Sequence, residues 1–241
     1  MPARQRPEPA QFLTALAHGE LRLLGRMPWS SNATFLAEVG HDGVALPVVY
    51  KPGRGERPLR DFPPDLYRRE QAAYLLSDAL GWGLVPETVL RDGPHGRGAV
   101  QRLVPADYAV HYFTLLEQPQ HRDALLAVAV FDVVANNADR KGGHVLLGDD
   151  GRIWSVDHGL CFHARPKLRT VVWDFAGQPV PEPLVADVAR LAAHDDDLLA
   201  GLLEVLAPDE VDALRARAAA VVEHSVFPTP GSRHPFPWPL V

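Results

Sequence analysis

Runs of apolar residues predict a set of short strands in the first part of the chain. The clearest is 45–52, a largely apolar, partly β-branched run with a single lysine, Lys51, at its end before Pro52. Residues 20–26 mix leucines with polar side chains, and the runs 85–90 and 99–104 flank a loop rich in glycine and arginine. Apolar runs of this length that are bounded by turn residues are typical of strands. The first part of the chain is therefore predicted to be rich in β-structure.

Helical spacing of apolar residues predicts helices at 8–19, 63–80, 122–134, 182–206 and 208–224. The helix at 122–134 is apolar on nearly every side, which is typical of a buried helix. Asp132 interrupts this apolar run, so its carboxylate is expected to face the loop that follows and to support it. The character of the chain changes after Pro105, which predicts an N-lobe at 1–105 and a C-lobe at 106–241. The closely spaced prolines of 227–241 exclude a helix there. That segment is predicted to lie extended, anchored by Phe236 and Trp238.

The strongest local pattern lies in the stretch 131–159. Residues 145–147 and 153–156 are short apolar runs, and the residues between them end in Asp150-Gly151. Asp-Gly favours a tight turn because both turn positions tolerate positive φ. The middle of the stretch is therefore predicted to fold into a β-hairpin.

A tight hairpin places its outer ends side by side, so Asp139 and His144 are expected to lie close to Asp157, with Arg140 and Lys141 nearby. Two carboxylates with a third ligand can hold a hard divalent cation. A lysine can neutralise a transferring phosphoryl group, and an aspartate can orient a hydroxyl nucleophile and accept its proton. The alternative is a polar surface hairpin, because Asp, Gly and Asn are ordinary turn residues.

A second candidate site begins at Lys51, since an apolar strand that ends in a lysine is the pattern of the lysine that binds ATP phosphates. Glu70, on the helix predicted at 63–80, could pair with Lys51 and hold it there. Earlier in the chain, the turn that follows residues 20–26 contains polar side chains that could line a phosphate-binding loop: Ser31, Asn32 and Thr34. The alternatives are a solvated strand end, a solvated helix charge and an ordinary polar turn.

The composition narrows the class of protein. The chain has 241 residues and is 46% hydrophobic, which suits one large or one two-lobed domain. A net charge of −6 does not favour nucleic acid as the main partner. The single cysteine, Cys161, excludes an intramolecular disulfide and a cysteine-based zinc site. No apolar run reaches the length of a membrane span, and no secretory signal is visible, so a cytoplasmic protein is expected.

The order of these residues matches a kinase pattern. In protein kinases the catalytic loop reads Asp-x-Lys-x-x-Asn, and a hairpin then leads to Asp-Phe-Gly. The corresponding residues here are Asp139-Arg140-Lys141-Gly142-Gly143-His144 and Asp157-His158-Gly159. The string resembles the phosphatidylinositol 3/4-kinase-like family of atypical kinases, in an actinobacterial subgroup, and more distantly the HipA-type bacterial kinases. The resemblance covers roughly residues 28–162. The departures from the family pattern are His144 in place of a metal-binding Asn, Lys141 where lipid kinases often have His, and His158 in place of Phe.

This resemblance implies an α+β, two-lobed, protein-kinase-like fold with a small β-rich N-lobe and a helical C-lobe. It implies a catalytic loop built on Asp139 with Arg140 and Lys141, and a metal site at Asp157 with His144. It also implies that Gln101 to Val104 form the hinge that binds the adenine edge through backbone groups.

By the same resemblance, the expected cofactors are ATP and Mg²⁺ or Mn²⁺. The acceptor is left open as a protein, a lipid headgroup or a small molecule. Residues 165–170 are basic and could form a substrate loop or a solvated turn.

Two other interpretations remain open. The first is a nucleotide-binding pseudokinase that acts as an interaction module, which the unusual His144 and the missing glycine-rich loop would signal. The second is a metal-dependent hydrolase that uses Asp139, His144 and Asp157, which would leave Lys51 and Glu70 without a role. Metal-dependent ATP binding separates the hydrolase from the other two, and turnover separates the kinase from the pseudokinase.

Overall fold

The computed structural model describes residues 9–28, 30, 32–193, 196–231 and 233–241. Within them the strands are β1 (Glu20–Arg26), β2 (Phe35–His41), β3 (Val44–Pro52), β4 (Thr88–Gly93), β5 (Gly96–Arg102), β6 (Val145–Leu147) and β7 (Ile153–Ser155). The helices are α1 (Pro9–His18), α2 (Tyr67–Ala79), α3 (Tyr112–Leu116), α4 (Arg122–Ala135), α5 (Glu182–Ala193), α6 (Asp196–Leu203) and α7 (Pro208–His224). The chain divides into two compact units, one made of Met1–Gln71 and Pro86–Leu103, the other of Ala72–Val85 and Val104–Val241. The boundary predicted near residue 105 lies close to the last change of unit.

The first unit is built on one antiparallel sheet with the strand order β1-β2-β3-β5-β4. The four strands predicted in this part of the chain are confirmed as β1, β3, β4 and β5. Strand β2 was not predicted, although Ala37 and Val39 are buried in alternation with more exposed neighbours. The loop predicted at 91–98 is wrong, because β4 and β5 continue as a hairpin to the pair Gly93–Gly96. Gly96 adopts a φ of 93°, which lets the turn be this tight.

The core of the first unit lies between α1 and the sheet. Leu16 of α1 packs with buried side chains of the three central strands, namely Ala37, Val39, Val48, Tyr50 and Val100. Gly19 ends the helix at the predicted place and lies against β2. A Cβ at this position would stand 2.3 Å from Val39 Cγ1, so only glycine allows the helix end to approach the strand this closely.

The second unit is organised around α4. Nearly all of its residues are buried, from Leu125 to Ala135, including the charged Asp132. The helix ends at Asn136, whose φ of 52° is left-handed and turns the chain into the loop that carries Asp139. The predicted hairpin follows as β6 and β7, with Val145 opposite Ser155.

The last part of the chain is helical and then rich in proline. Helix α7 confirms the prediction at 208–224, whereas the region predicted as one helix at 182–206 contains α5 and α6 on either side of residues 194 and 195, which lie outside the described residues. The described residues of 227–241 contain no helix, as predicted. The predicted anchors are wrong, because the side chains of Phe236 and Trp238 are 49% and 87% exposed.

This segment is held by buried Phe227, whose ring centroid lies 5.9 Å from that of Phe175 at a tilt of 38°, and by the backbone carbonyls of Pro235 and Leu240. No helix of the described residues is long and apolar enough to cross a membrane.

Candidate functional site

Lys51 and Glu70 meet within the first unit. Alternation along β3 buries Val48 and Tyr50 on one face of the sheet and places Lys51 on the other. Lys51 Nζ lies 2.5 Å from Glu70 Oε1, and the Glu70 side chain is only 2% exposed. A carboxylate this deeply buried needs its cation, because removing one partner of a buried ion pair costs about 3–5 kcal/mol. The glutamate therefore fixes where the ammonium group stands.

The helix that carries Glu70 is itself held by a residue that the sequence did not point to. Glu56, in the loop after β3, accepts hydrogen bonds from Leu66 N at 2.9 Å and Tyr67 N at 2.8 Å. It thereby satisfies two N–H groups at the start of α2 that have no partner inside the helix. Burial raises the pKa of the Glu56 carboxyl, while these two hydrogen bonds act in the opposite direction. No local signal could reveal this cap, because Glu56 lies ten residues before Leu66 in the chain.

The loop predicted to bind phosphates is closed by its own polar groups. Ser30 Oγ and Thr34 Oγ1 share a hydrogen bond of 2.7 Å, and Asn32 Oδ1 accepts from Arg57 N at 3.0 Å. The loop is thus joined to the segment that follows Lys51. Ser31 lies outside the described residues. The predicted phosphate-binding role of Asn32 and Thr34 stays a prediction.

The residues predicted as the hinge have mostly structural contacts. Gln101 is buried and donates from Nε2 to Thr88 Oγ1 at 2.8 Å, across β4 and β5. The N–H groups of Arg102 and Leu103 donate to Glu87 O and Pro47 O, so neither is available to adenine in this conformation. Val104 belongs to the second unit, where its side chain is buried with Leu146 and Trp154. Recognition of adenine there stays a prediction.

In the second unit, Asp139 faces Lys141 in the loop after α4. Lys141 Nζ lies 2.6 Å from Asp139 Oδ2, and Asp139 N donates to Asn137 Oδ1 at 2.9 Å. Burial raises the pKa of the Asp139 carboxyl, Lys141 opposes this through its hydrogen bond and charge, and the nearby charge of Asp157 adds to the rise. An aspartate with a raised pKa, next to a lysine, is suited to accept a proton from a hydroxyl group.

At the far end of the hairpin, Asp157 stands beside His144, as the sequence predicts. His144 Nε2 lies 3.4 Å from Asp157 Oδ2, and the Asp157 side chain is 54% exposed. Lys141 N donates to the other ring nitrogen, Nδ1, at 3.4 Å. Because Nδ1 accepts this bond, a neutral ring carries its proton on Nε2. In that tautomer His144 donates toward Asp157.

The side chains at Asp157 suit a cation whose coordination shell is completed by ligands from the substrate. The part of the chain that the structure describes contains no group of three or more His, Cys, Asp or Glu side chains arranged to hold a metal ion. Mg²⁺ is commonly bound by one or two carboxylates together with phosphates of the substrate. An exposed carboxylate such as that of Asp157 meets this requirement, so it could hold Mg²⁺ or Mn²⁺ once a nucleotide is present.

Arg140 differs from its neighbours because its side chain is completely buried. It donates from Nε and Nη2 to Asp132, at 3.1 Å and 2.9 Å from Oδ1. It also donates from Nη1 to Val156 O at 3.0 Å, and its Nη2 lies 2.9 Å from His158 Nε2. Burial opposes the charge of Arg140, but Asp132 outweighs this and the pKa of the guanidinium is raised. Arg140 thus joins the loop of Asp139 to the residues on both sides of Asp157.

Asp132 collects the hydrogen bonds that hold this loop. Besides Arg140, it accepts from Asn137 Nδ2 and Thr170 Oγ1, each at 3.0 Å. The expected supporting role of Asp132 is confirmed by these contacts. Thr170 was missed, because its hydroxyl reaches Asp132 only through the folding of a distant part of the chain.

The segment that follows the hairpin is fastened to the same loop. Asn136 donates from Nδ2 to His163 O and Arg165 O, both at 2.8 Å, and accepts from Lys167 N at 2.8 Å. The N–H of Arg169 donates to Asn137 O at 2.9 Å, and its carbonyl accepts from Arg140 N at 3.1 Å. The residues predicted as a substrate loop therefore lie directly beside the loop of Asp139.

Comparison with known proteins identifies a relative and a fold. No family model matches the sequence. The chain is 43% identical to protein Rv2133c of Mycobacterium tuberculosis (strain ATCC 25618 / H37Rv) over an alignment of 261 residues that covers 93% of each chain.

Two solved structures are similar. Hydra Fam20 with sugar gives a TM-score of 0.61 at 15% identity over 89% of this chain and 88% of that one. The Helicobacter pylori proinflammatory kinase CtkA gives a TM-score of 0.52 at 12% identity, over 88% of this chain and 94% of that one. At these identities the likeness concerns the fold, and it confirms the predicted two-lobed, kinase-like α+β class.

Proposed function

The chain belongs to the same family as protein Rv2133c of Mycobacterium tuberculosis, and we propose that the chain is an ATP-dependent phosphotransferase that uses Mg²⁺ or Mn²⁺. The observation that carries the proposal is the pair of Lys51 Nζ and Glu70 Oε1 at 2.5 Å, in a chain with a kinase-like fold. In kinases, a strand lysine held by a helix glutamate binds the nucleotide phosphates. The stability of the fold does not require this pair, because well-packed apolar side chains are often as stabilising as a buried ion pair.

Lys51 is assigned to the α- and β-phosphates of ATP, with Glu70 holding its ammonium group in place. Polar groups of Asn32 and Thr34 remain candidates for the loop that covers the phosphates, and Ser31 with them. The backbone of Gln101 to Val104 remains the candidate hinge for adenine.

Asp139 is assigned to the acceptor hydroxyl. It orients the hydroxyl group and takes its proton as the oxygen attacks the γ-phosphorus. Lys141, whose ammonium group lies 2.6 Å from Asp139, is assigned to neutralise charge on the transferring phosphoryl group. Arg140 is assigned a positioning role, because its guanidinium is withdrawn from solvent and engaged with Asp132.

Asp157 is assigned to the cation. A bound Mg²⁺ or Mn²⁺ would neutralise charge on the β- and γ-phosphates. Asp157 supplies an exposed carboxylate for this purpose, and His144 lies beside it. The predicted role of His144 as a second ligand requires Nε2 without its proton, and a comparison of metals tests it.

The finer assignment, to the phosphatidylinositol 3/4-kinase-like kinases, is supported by the order of Asp139, the hairpin and Asp157 in the sequence. The expected cytoplasmic location belongs to the same proposal. The hydrolase alternative is less favoured, because it gives the Lys51–Glu70 pair no role.

Incubation of the purified protein with γ-labelled ATP and Mg²⁺ or Mn²⁺ tests the function. We expect labelled phosphate on an added protein, a lipid, a small molecule or the chain itself. Lys51→Met and Asp139→Asn should both strongly reduce the label, whereas Arg215→Gln, a change at an exposed helix position, should not. Metal-dependent ATP binding without transfer to any acceptor would instead identify a pseudokinase. Failure to bind ATP in the presence of either metal would refute the proposal.

A further inference from the structure

The residues that follow the metal carboxylate form a positively charged segment. Between Asp157 and Asp174 the chain contains no Asp or Glu, but it contains Arg165, Lys167 and Arg169. We call residues 163–169 the basic segment. A local excess of positive charge in a chain whose net charge is −6 attracts anionic groups to this place.

The basic segment has a fixed position relative to Asp139. Arg169 exchanges two backbone hydrogen bonds with the loop, its N–H with Asn137 O at 2.9 Å and its carbonyl with Arg140 N at 3.1 Å. The side chain of Arg165 is exposed and that of Arg169 is partly exposed. Neither forms an ion pair within the residues that the structure describes. Two cationic side chains are thus presented to solvent from a backbone that is tied to the catalytic loop.

Exposed apolar side chains lie in a second segment whose backbone is bound to the same part of the chain. Pro235 O accepts from Thr170 N at 3.1 Å, and Leu240 O accepts from Gly142 N at 2.7 Å. The residues between these two anchors include Phe236, which is half exposed, and Trp238, which is largely exposed. Arginine and exposed tryptophan together are typical of surfaces that bind other proteins. A small anion or a sugar phosphate would use the cations and leave the rings without a contact.

We propose that the acceptor is an acidic peptide segment that binds along the basic segment and residues 236–240 and delivers a Ser or Thr hydroxyl to Asp139. This inference rests on the phosphotransferase function proposed above. Carboxylates of the peptide pair with Arg165 and Arg169, and an apolar side chain packs on Trp238. The hydroxyl oxygen forms the new bond to the γ-phosphorus of ATP, the bond from that phosphorus to the β–γ bridging oxygen breaks, ADP leaves, and the hydroxyl proton passes to Asp139.

Binding and transfer can be measured separately. Three fluorescent peptides of one length contain a central Ser and a Phe, and differ only in whether Glu, Gln or Lys flanks the Ser. Anisotropy is measured with the protein loaded with a non-hydrolysable ATP analogue and Mn²⁺, and transfer is measured with ATP. We expect the Glu peptide to bind about tenfold more tightly than the Gln peptide, because each exposed ion pair contributes modestly and two act together.

Substitutions in the protein show which side chains cause the preference for the Glu peptide. In the variant with both Arg165→Gln and Arg169→Gln, we expect the KM for the Glu peptide to rise about tenfold, with a much smaller change in kcat. Trp238→Ala should weaken the Glu and Gln peptides by the same factor, because it removes an apolar contact. The matched control, Arg215→Gln, removes an exposed arginine elsewhere in the same unit and should change neither value.

Equal affinity for the Glu and Gln peptides, or a doubly substituted variant that behaves like the control, would overturn the inference. Transfer to a lipid or a small molecule but to none of the peptides would overturn it as well, while leaving the phosphotransferase function intact. A protein that fails to bind ATP would instead refute the proposed function, and a calorimetric ATP titration identifies that case.

Discussion

Arg140 and Asp132 form an ion pair that is completely withdrawn from water, with 2.9 Å between Nη2 and Oδ1. Arg140 directly follows Asp139, whereas Asp132 belongs to α4, so the pair fixes the catalytic loop to the helix before it. The same guanidinium donates to the carbonyl of Val156 at 3.0 Å, immediately before Asp157. One buried cation therefore sets the spacing between the carboxylates that we assign to the acceptor and to the metal.

Arg140→Met should lower the free energy of unfolding by about 3–5 kcal/mol, because it leaves the Asp132 carboxylate buried without its cation. Urea denaturation measures the change. Adding Asp132→Leu should recover part of the stability, because it removes the unpaired buried charge, but Asn137 and Thr170 lose their acceptor. It should not restore phosphoryl transfer, since the loop would still lack its tie to Val156. Arg215→Met, at an exposed position, should stay within about 0.5 kcal/mol of the original protein. If Arg140→Met were equally harmless, the pair would not hold the loop.

Lys51→Met should weaken ATP binding by about 10- to 100-fold, because a hydrogen bond to a charged group contributes about 1.5–3 kcal/mol. The substitution also leaves the Glu70 carboxylate buried. Lys51→Met combined with Glu70→Gln should therefore be more stable than Lys51→Met alone, yet bind ATP no better. Calorimetric titration and urea denaturation of both variants separate the two effects. Unchanged ATP affinity in the folded single variant would exclude Lys51 from the nucleotide site.

Asp139→Asn and Asp157→Asn should fail in different ways. An amide cannot take a proton, so Asp139→Asn should keep ATP binding and lose about 100- to 10,000-fold in transfer rate. Asp157→Asn should weaken metal-dependent ATP binding, because it removes a charged oxygen ligand. ATP titration with and without Mn²⁺, followed by a transfer assay on each variant, tests this. A merely structural hairpin would instead cause both variants to lose stability and binding together.

The raised pKa of Asp139 should be visible in the pH dependence of the transfer rate. The carboxyl must be deprotonated to act as a base, so the rate should rise with pH through a value above 3.8, the ordinary pKa of this group. The contribution of this carboxyl to folding stability changes with pH in the opposite direction to the transfer rate. The carboxyl stabilises the fold fully below that ordinary value, and this contribution is lost as the pH rises through the raised pKa. The stability curve of Asp139→Asn should lack this decline, and a profile with no acid limb would contradict the assignment.

His144→Asn tests whether the imidazole holds the cation or only orients Asp157. Because Lys141 N donates to Nδ1, we expect Nε2–H to face Asp157, and the variant should then weaken Mg²⁺- and Mn²⁺-dependent ATP binding by similar factors. Titrations with each metal provide the comparison. A shift of preference from Mn²⁺ toward Mg²⁺ would show instead that the ring coordinates the cation, since imidazole suits softer ions than Mg²⁺.

The sequence alone determined the parts of this protein that depend on neighbouring residues. The hairpin of 145–156 could be predicted because an Asp-Gly turn and two apolar runs act locally, and it brings His144 beside Asp157. Lys51 could be placed at a strand end, and Glu70 on a downstream helix, from period and composition. The apolar run of α4 marked Asp132 as a charge that needed a partner.

Only the tertiary structure decided the contacts between residues that are distant in the sequence. Glu56 caps α2, Thr170 reaches Asp132, and Leu240 O binds Gly142 N. Phe236 and Trp238 were predicted to anchor the proline-rich segment because large rings are usually buried, yet its carbonyls and Phe227 hold it instead. Every residue except proline carries the same backbone donor and acceptor, so a contact made by those groups leaves no mark in the sequence.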